Sequence, residues 1–95
     1  MARINPSVTR ALRILELFLD DQNPLSVPTI SDRLGLPRTT THELVNTLIH
    51  TEYLRRDSKQ PNKVFLGPSV FELGNVYEGK LDLIAEARRI SEEIV

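Results

Sequence analysis

Along the first third of the chain, apolar residues recur at intervals of three and four. Val8, Ala11, Leu12, Leu15 and Phe18 have the spacing at which a helix buries one stripe, and they predict a helix from Ser7 to about Leu19 with Ser7 capping its first turn. Residues 1–6 lack any periodicity and read as a flexible arm, with Arg3 as its one basic side chain and Asn5-Pro6 as a turn or helix-start signal. The stretch DDQNPLS then breaks the pattern. Ser26 supplies the next cap, Pro28 is tolerated in a first turn that needs few amide donors, and Ile30 and Leu34 mark a second helix. Gly35 is placed to close that helix in the left-handed conformation, Leu36 is expected to pin the turn to the core, and Pro37 opens a third helix. The stripe of this third helix is Leu44, Val45, Leu48 and Ile49. Two short helices around a tight turn make a helix-turn-helix. The outward face of the second one is polar, with Arg38, Thr39, His42, Glu43 and Asn46, a set suited to hydrogen bonding with base edges.

Beyond this unit the period shortens. Tyr53 and Leu54, and then Lys63 to Leu66, are β-prone runs joined by the turn-rich SKQPN, which predicts a hairpin. A hairpin directly behind a helix-turn-helix is a wing. Arg55, Arg56, Lys59 and Lys63 against Glu52 and Asp57 make it basic. Gly67-Pro68 stops the second strand, and Ser69-x-x-Glu72 has capping-box spacing ahead of Val70, Phe71, Leu73, Val76 and Tyr77. These predict another core helix ending near Gly79. Leu83, Ala87, Ile90 and Ile94 then form a heptad-like seam, shorter than the three or four heptads that define a coiled coil. The predicted fold is mainly α with a small β-hairpin. It is a winged helix-turn-helix over residues 1–79, followed over residues 80–95 by the start of a linker or dimerisation helix that leads into a further region.

Composition narrows the function classes. A chain of 95 residues suits one small domain. With no cysteine, neither a disulfide frame nor a thiolate metal site is available. No apolar run approaches the roughly 18 residues of a membrane span, and the polar start MARINPS lacks a signal-peptide core, so a cytoplasmic protein without membrane contact is expected. The net charge of -1 is unevenly spread: residues 1–66 carry nine basic against seven acidic side chains, and residues 67–95 three against six. A modestly positive front segment is compatible with phosphate binding. His42 and His50 stand eight apart without nearby ligands, so no metal site is expected. No nucleophile elbow or phosphate-binding glycine loop is present, which leaves an enzyme, or a cofactor, with no residues to carry it.

Taken together, SVTRALRILELF, LSVPTISDRLGLPRTTTHELVNTL, YLRRD and FLGPSVFELGNVY, followed by LDLIAEAR, resemble the N-terminal part of IclR-type bacterial transcriptional regulators. The specific part is the order and spacing: Arg10-Ala11-Leu12, LGLPRTT, LGP with ELG six residues on, then LDL. The resemblance implies a winged helix-turn-helix that binds a roughly palindromic double-stranded operator as a homodimer, or as a tetramer in the full-length protein. It further implies dimer contacts through the N- and C-terminal helices, and a small-molecule effector bound only by a separate C-terminal domain. Carried over position by position, it implies DNA contacts at Arg10, Ser26, Pro37, Arg38, Thr39, Thr40 and His42. Glu43 and Thr41 depart from the family pattern. Arginine or another polar residue is more usual at the first, and a small apolar one at the second.

Several side chains admit two roles. Arg38 and Thr39 lie where helix amides and the helix dipole favour a phosphate. Thr40 either touches a phosphate or caps, and Thr40-x-x-Glu43 has capping-box spacing. Glu43 therefore either serves the helix, the favoured reading, or accepts a hydrogen bond from a cytosine amino group. Asn46 pairs with adenine or reaches only the DNA backbone. Lys63 and the pair Arg55-Arg56 are either wing contacts or a solvated hairpin, Arg3 is either a minor-groove arm or a disordered terminus, and His50 is a surface residue. The alternative function, favoured by the near-neutral charge and Glu43, is a winged-helix protein-interaction or dimerisation module without direct DNA contact.

Overall fold

The computed structural model describes residues 2–80. Helix α1 spans Pro6–Asp20, and its cap is Asn5 rather than Ser7: the Asn5 side chain accepts from the Ser7 amide at 2.9 Å and the Val8 amide at 3.4 Å. Pro6 explains the shift, because a proline at the first helical position presets the backbone and sacrifices no needed donor. The buried face of α1 is Ile14 and Phe18, flanked by Ala11, Leu15 and Leu17. Val8 and Leu12, expected in the core, are 56% and 53% exposed. With exposed Leu19 they lie on a second apolar stripe, roughly a third of a turn around the helix, and the two stripes meet at Leu15.

The DDQNPLS stretch is more ordered than its composition suggests. Asp21 accepts from the Asn23 amide and pairs with Arg33 of α2 at 2.9 Å, and the Arg33 guanidinium, with help from Asn23, holds its carboxyl below the usual carboxylate range. Leu25–Ser26 then form a short strand, β1. A two-residue strand is too short to show alternation, and it turns the expected hairpin into a three-stranded antiparallel sheet of order β1-β3-β2. Helix α2, Val27–Leu34, is capped by Ser26, whose hydroxyl accepts from the Thr29 amide at 3.3 Å. Gly35 closes it at φ 64. Leu36 is only half-buried and stands outside the core cluster; the turn is fastened by Ser31, whose hydroxyl donates to the Leu36 carbonyl at 2.6 Å and whose carbonyl accepts from the Leu36 amide.

Helix α3 spans Arg38–His50, with Pro37 as its N-cap and no side-chain cap hydrogen bond. The Thr40/Glu43 capping box is therefore absent. The helix starts at Arg38, so Thr40 is its third residue rather than its cap, and Glu43 lies in the second turn, out of reach of the helix start. Thr41, Val45 and Leu48 are the buried face. Thr41 is fully buried, and its hydroxyl is satisfied by donating to the Pro37 carbonyl at 3.0 Å, which makes a polar residue tolerable there. The helix ends at Thr51. Glu52 follows with φ 67, its amide bonded to Ile49 O and the Tyr53 amide to Leu48 O.

Strands β2, Leu54–Arg56, and β3, Lys63–Leu66, form the wing, with Arg56 opposite Val64 and Leu54 opposite Leu66. At its tip the Asp57 carboxylate accepts from the amides of Lys59 and Gln60. Residues 68–80 form helix α4, which differs from expectation in two ways. Ser69 is inside the helix and its hydroxyl donates to the Thr51 carbonyl, so it does not cap. Phe71, Leu73, Val76 and Tyr77 are 58–69% exposed, so α4 contributes no core residue. The heptad-like seam from Leu83 to Ile94 lies outside the described residues. The core joins α1, α2, α3 and the sheet through Ile14, Phe18, Leu25, Ile30, Val45, Leu48, Leu54 and Val64, with the Phe18 and Phe65 rings edge to face at 5.3 Å. No helix among the described residues is long and apolar enough to cross a membrane.

Candidate nucleic-acid interface

Burial of Thr41, Val45 and Leu48 forces the opposite side of α3 into solvent. Thr39, His42, Glu43 and Asn46 are exposed on it, as the spacing predicts, and so is His50; Arg38 is also exposed, but it lies in line with buried Thr41 and Val45 and owes its exposure to its place at the helix start. Thr40, at the third helical position, is half-buried. Pro37 is exposed at the cap, where its fixed φ directs the chain into α3.

Beside this face runs an open groove of about 480 Å³. One wall is the N-terminal end of α2 with Ser26, Val27 and Pro28; the floor is Val45 and Val64; His42 and Asn46 stand on the α3 side, and Arg56 and Asn62 on the wing side. The aligned peptide dipoles of α2 give this groove partial positive charge at the helix N-terminus, and Arg56 adds a full one. The Arg56 guanidinium reaches back to the Pro61 carbonyl at 3.4 Å, which holds it close to the wing tip. The Ser26 hydroxyl is occupied within α2, donating to the Thr29 hydroxyl at 3.0 Å, so its contribution is to hold the helix end open toward the groove.

The candidate residues separate into groups. His42, Asn46 and Ser26 meet in the groove. Arg38 and Thr39 stand at the leading end of α3. Arg10 is elsewhere: with Thr9 and Arg13 it lines a shallow pocket over Leu34 and Leu36, beside the helix-turn-helix turn. Lys63 is half-buried and is not a groove residue; adjacent strand residues alternate sides, so the inward position of Val64 sends Lys63 to the other face. The hairpin cation that enters the groove is Arg56. Its period-two relation to buried Leu54 in the sequence could have singled it out from Arg55, Lys59 and Lys63. Asn62 carried no such signal, because only the turn geometry brings it to the groove. Among the described residues no three His, Asp or Glu side chains cluster as metal ligands.

Comparison with known proteins agrees with this architecture. Residues 7–58 match the IclR helix-turn-helix domain. The chain is 34% identical over 82 residues to the HTH-type transcriptional regulator XynR of Escherichia coli (strain K12), covering 86% of this chain and 32% of that protein. It is 28% identical over 94 residues to the HTH-type transcriptional regulator KipR of Bacillus subtilis (strain 168), covering 99% and 36%. The chain thus spans about a third of the length of these curated relatives. Among solved structures, an IclR transcriptional regulator from Alicyclobacillus acidocaldarius superposes with a TM-score of 0.70 at 28% identity, over 77% of this chain and 29% of that one. An IclR family regulator from Brucella abortus gives 0.69 at 28% identity, over 78% and 28%. The chain belongs to the IclR family, and it carries the helix-turn-helix domain of the transcriptional regulators it matches.

Proposed function

We propose that this domain binds a roughly palindromic double-stranded operator as a dimer, with α3 in the major groove and the groove between α2 and the wing on the phosphate backbone. The observation that carries this reading is the continuous polar side of α3 bordered by that groove. A helix fits the major groove, where base pairs present distinct patterns of donors and acceptors. Arg38, Thr39, His42 and Asn46 meet base edges there. The α2 N-terminus behind Ser26, Arg56, and Arg10 on the other flank take phosphates, and Pro37 and half-buried Thr40 set the entry of α3. Affinity comes mainly from the phosphate contacts and specificity from the base edges. Lys63, turned from the groove, is a peripheral phosphate contact of the wing.

Dimerisation is supported by apolar surface that the fold leaves uncovered: Val8, Leu12 and Leu19 on α1, and Phe71, Leu73, Val76 and Tyr77 on α4. A second copy covers these side chains, and a two-fold dimer matches a palindromic operator. Because the chain spans about a third of its relatives' length, we place the effector site outside these residues and the protein in the cytoplasm with its DNA.

Fluorescence anisotropy with a duplex from the promoter region of its own gene, against a random duplex and at several salt concentrations, tests the reading. Tighter binding to the promoter duplex and a steep fall of affinity with salt are expected. Equal affinity for both duplexes refutes specific recognition, and a flat salt dependence refutes phosphate-driven binding.

A further inference from the structure

We infer that Glu43 sets base preference, by requiring an exocyclic amino group, foremost that of cytosine, at one base pair of each half-site; this rests on the DNA-binding reading above. Thr39, Glu43 and Asn46 follow one another at spacings of four and three along the side of α3 directly opposite buried Thr41, Val45 and Leu48. Glu43 is therefore at the centre of the surface that meets the duplex. Among the described residues its carboxylate accepts no hydrogen bond and makes no ion pair. The helix start has no side-chain cap bond, and the one salt bridge among the described residues is Arg33 with Asp21. The cations nearest the duplex stand elsewhere: Arg56 lines the groove on the His42 and Asn46 flank, whereas Glu43 lines the opposite flank with Ser7, Val8 and Thr47, and Arg10 lines a third pocket.

A carboxylate in that position cannot face phosphates without repulsion, and once desolvated against the base edges it must accept a hydrogen bond. The major groove offers donors at two places only, the N4 amino group of cytosine and the N6 amino group of adenine. Guanine O6 and N7 and thymine O4 are acceptors and repel a carboxylate. Glutamate with cytosine is the usual pairing of the two, because adenine presents its N7 acceptor beside the amino group. Glu43 thus acts by rejection as much as by attraction: sites without the amino group meet an unpaired charge.

Selection of binding sites from a random duplex library by the wild-type chain, Glu43→Ala and Glu43→Gln, followed by titration of the enriched sites, tests this. In the wild-type profile one position per half-site should be an amino-bearing base, mostly cytosine, and its replacement by thymine should weaken binding on the order of tenfold. In Glu43→Ala that position should become nearly indifferent while the rest of the profile is kept. Identical profiles for wild type and Glu43→Ala overturn the inference and leave DNA binding intact. A uniform rise in affinity for all sequences without a change of profile overturns it as well, because Glu43 is then only a repulsive charge. Enrichment of no sequence by the wild type removes the DNA-binding reading, and this inference with it. Glu43 is exposed, so circular dichroism of the variants should match the wild type.

Discussion

The Ser31 hydroxyl donates to the Leu36 carbonyl at 2.6 Å, across the turn that sets α3 against α2. Ser31 is 4% exposed, so the hydroxyl is shielded from water on the inner side of a turn whose Gly35 and Pro37 face solvent. Ser31→Ala leaves the Leu36 carbonyl without this partner, and the expected loss of stability is about 1–3 kcal/mol by urea denaturation. Ser31→Thr keeps the donor but adds a methyl group in a buried site, and should also lose stability.

Glu52 occupies the left-handed position after α3 at φ 67, where glycine is the favoured residue. Relief of that strain in Glu52→Gly should stabilise the domain by about 1 kcal/mol, read as a raised melting temperature. Gly67→Ala should do the opposite, because a Cβ there collides with the Glu52 backbone carbonyl, which also accepts from the Ser69 amide.

The Arg33–Asp21 pair carries a pH signature. The folded-state pKa of Asp21 is lowered, first by its hydrogen bond from Arg33, so its stabilising contribution is present above the unfolded carboxylate pKa and is lost as pH falls through the lower folded value. Melting temperatures of wild type and Asp21→Asn should therefore differ slightly at neutral pH and converge in strong acid. A gap that widens on acidification contradicts the pairing.

Arg56 and Asn46 line one groove, and on the DNA-binding reading proposed above they should separate backbone from base contacts. Arg56→Ala should weaken binding to every duplex alike and lower the slope of log affinity against log salt by about 1, with folding intact. Asn46→Ala should leave the salt slope unchanged and erase preference at one base pair, at a cost of roughly 1–3 kcal/mol.

Leu12→Glu places a charge on the uncovered stripe of α1 at a position 53% exposed. Monomer stability should change by no more than about 0.5 kcal/mol, while sedimentation velocity should show the dimer lost at concentrations where the wild type retains it. An unchanged dimer assigns the interface to other residues.

Much of this was legible in the sequence because local chemistry and tertiary packing agree. The spacing of Ile30, Leu34, Val45 and Leu48, the Gly35 turn and the SKQPN hairpin all have local causes, and each stands where it is expected. The misreadings came where two local signals compete. Ser7 is a good capping residue, but Asn5-Pro6 places the helix start ahead of it. Thr40 and Glu43 have the spacing of a capping box, but Pro37 starts the helix three residues earlier and leaves Thr40 inside it. Val8 and Leu12, like Phe71 and Val76, have helical apolar periodicity, which records that a face is to be covered and not which molecule covers it. In the site, periodicity identified the outward side of α3. The period-two relation of Arg56 to Leu54 separates it from Lys63, but Asn62 has no such signal, because only the turn between β2 and β3 brings it to the groove.

The two-residue strand β1 couples parts that in a hairpin alone would be independent. Ser26 pairs with Lys63 in the sheet and is also the cap of α2, so the wing and the leading end of α2 share one backbone frame. That pairing ties the two walls of the groove together. On the DNA-binding reading proposed above, the wing and α2 should meet a duplex as one unit and leave adjustment to the DNA. Sequences that narrow or bend easily between the points touched by α2 and the wing should then pay less elastic energy to fit, so that base pairs no side chain contacts should enter the operator's consensus through their stiffness.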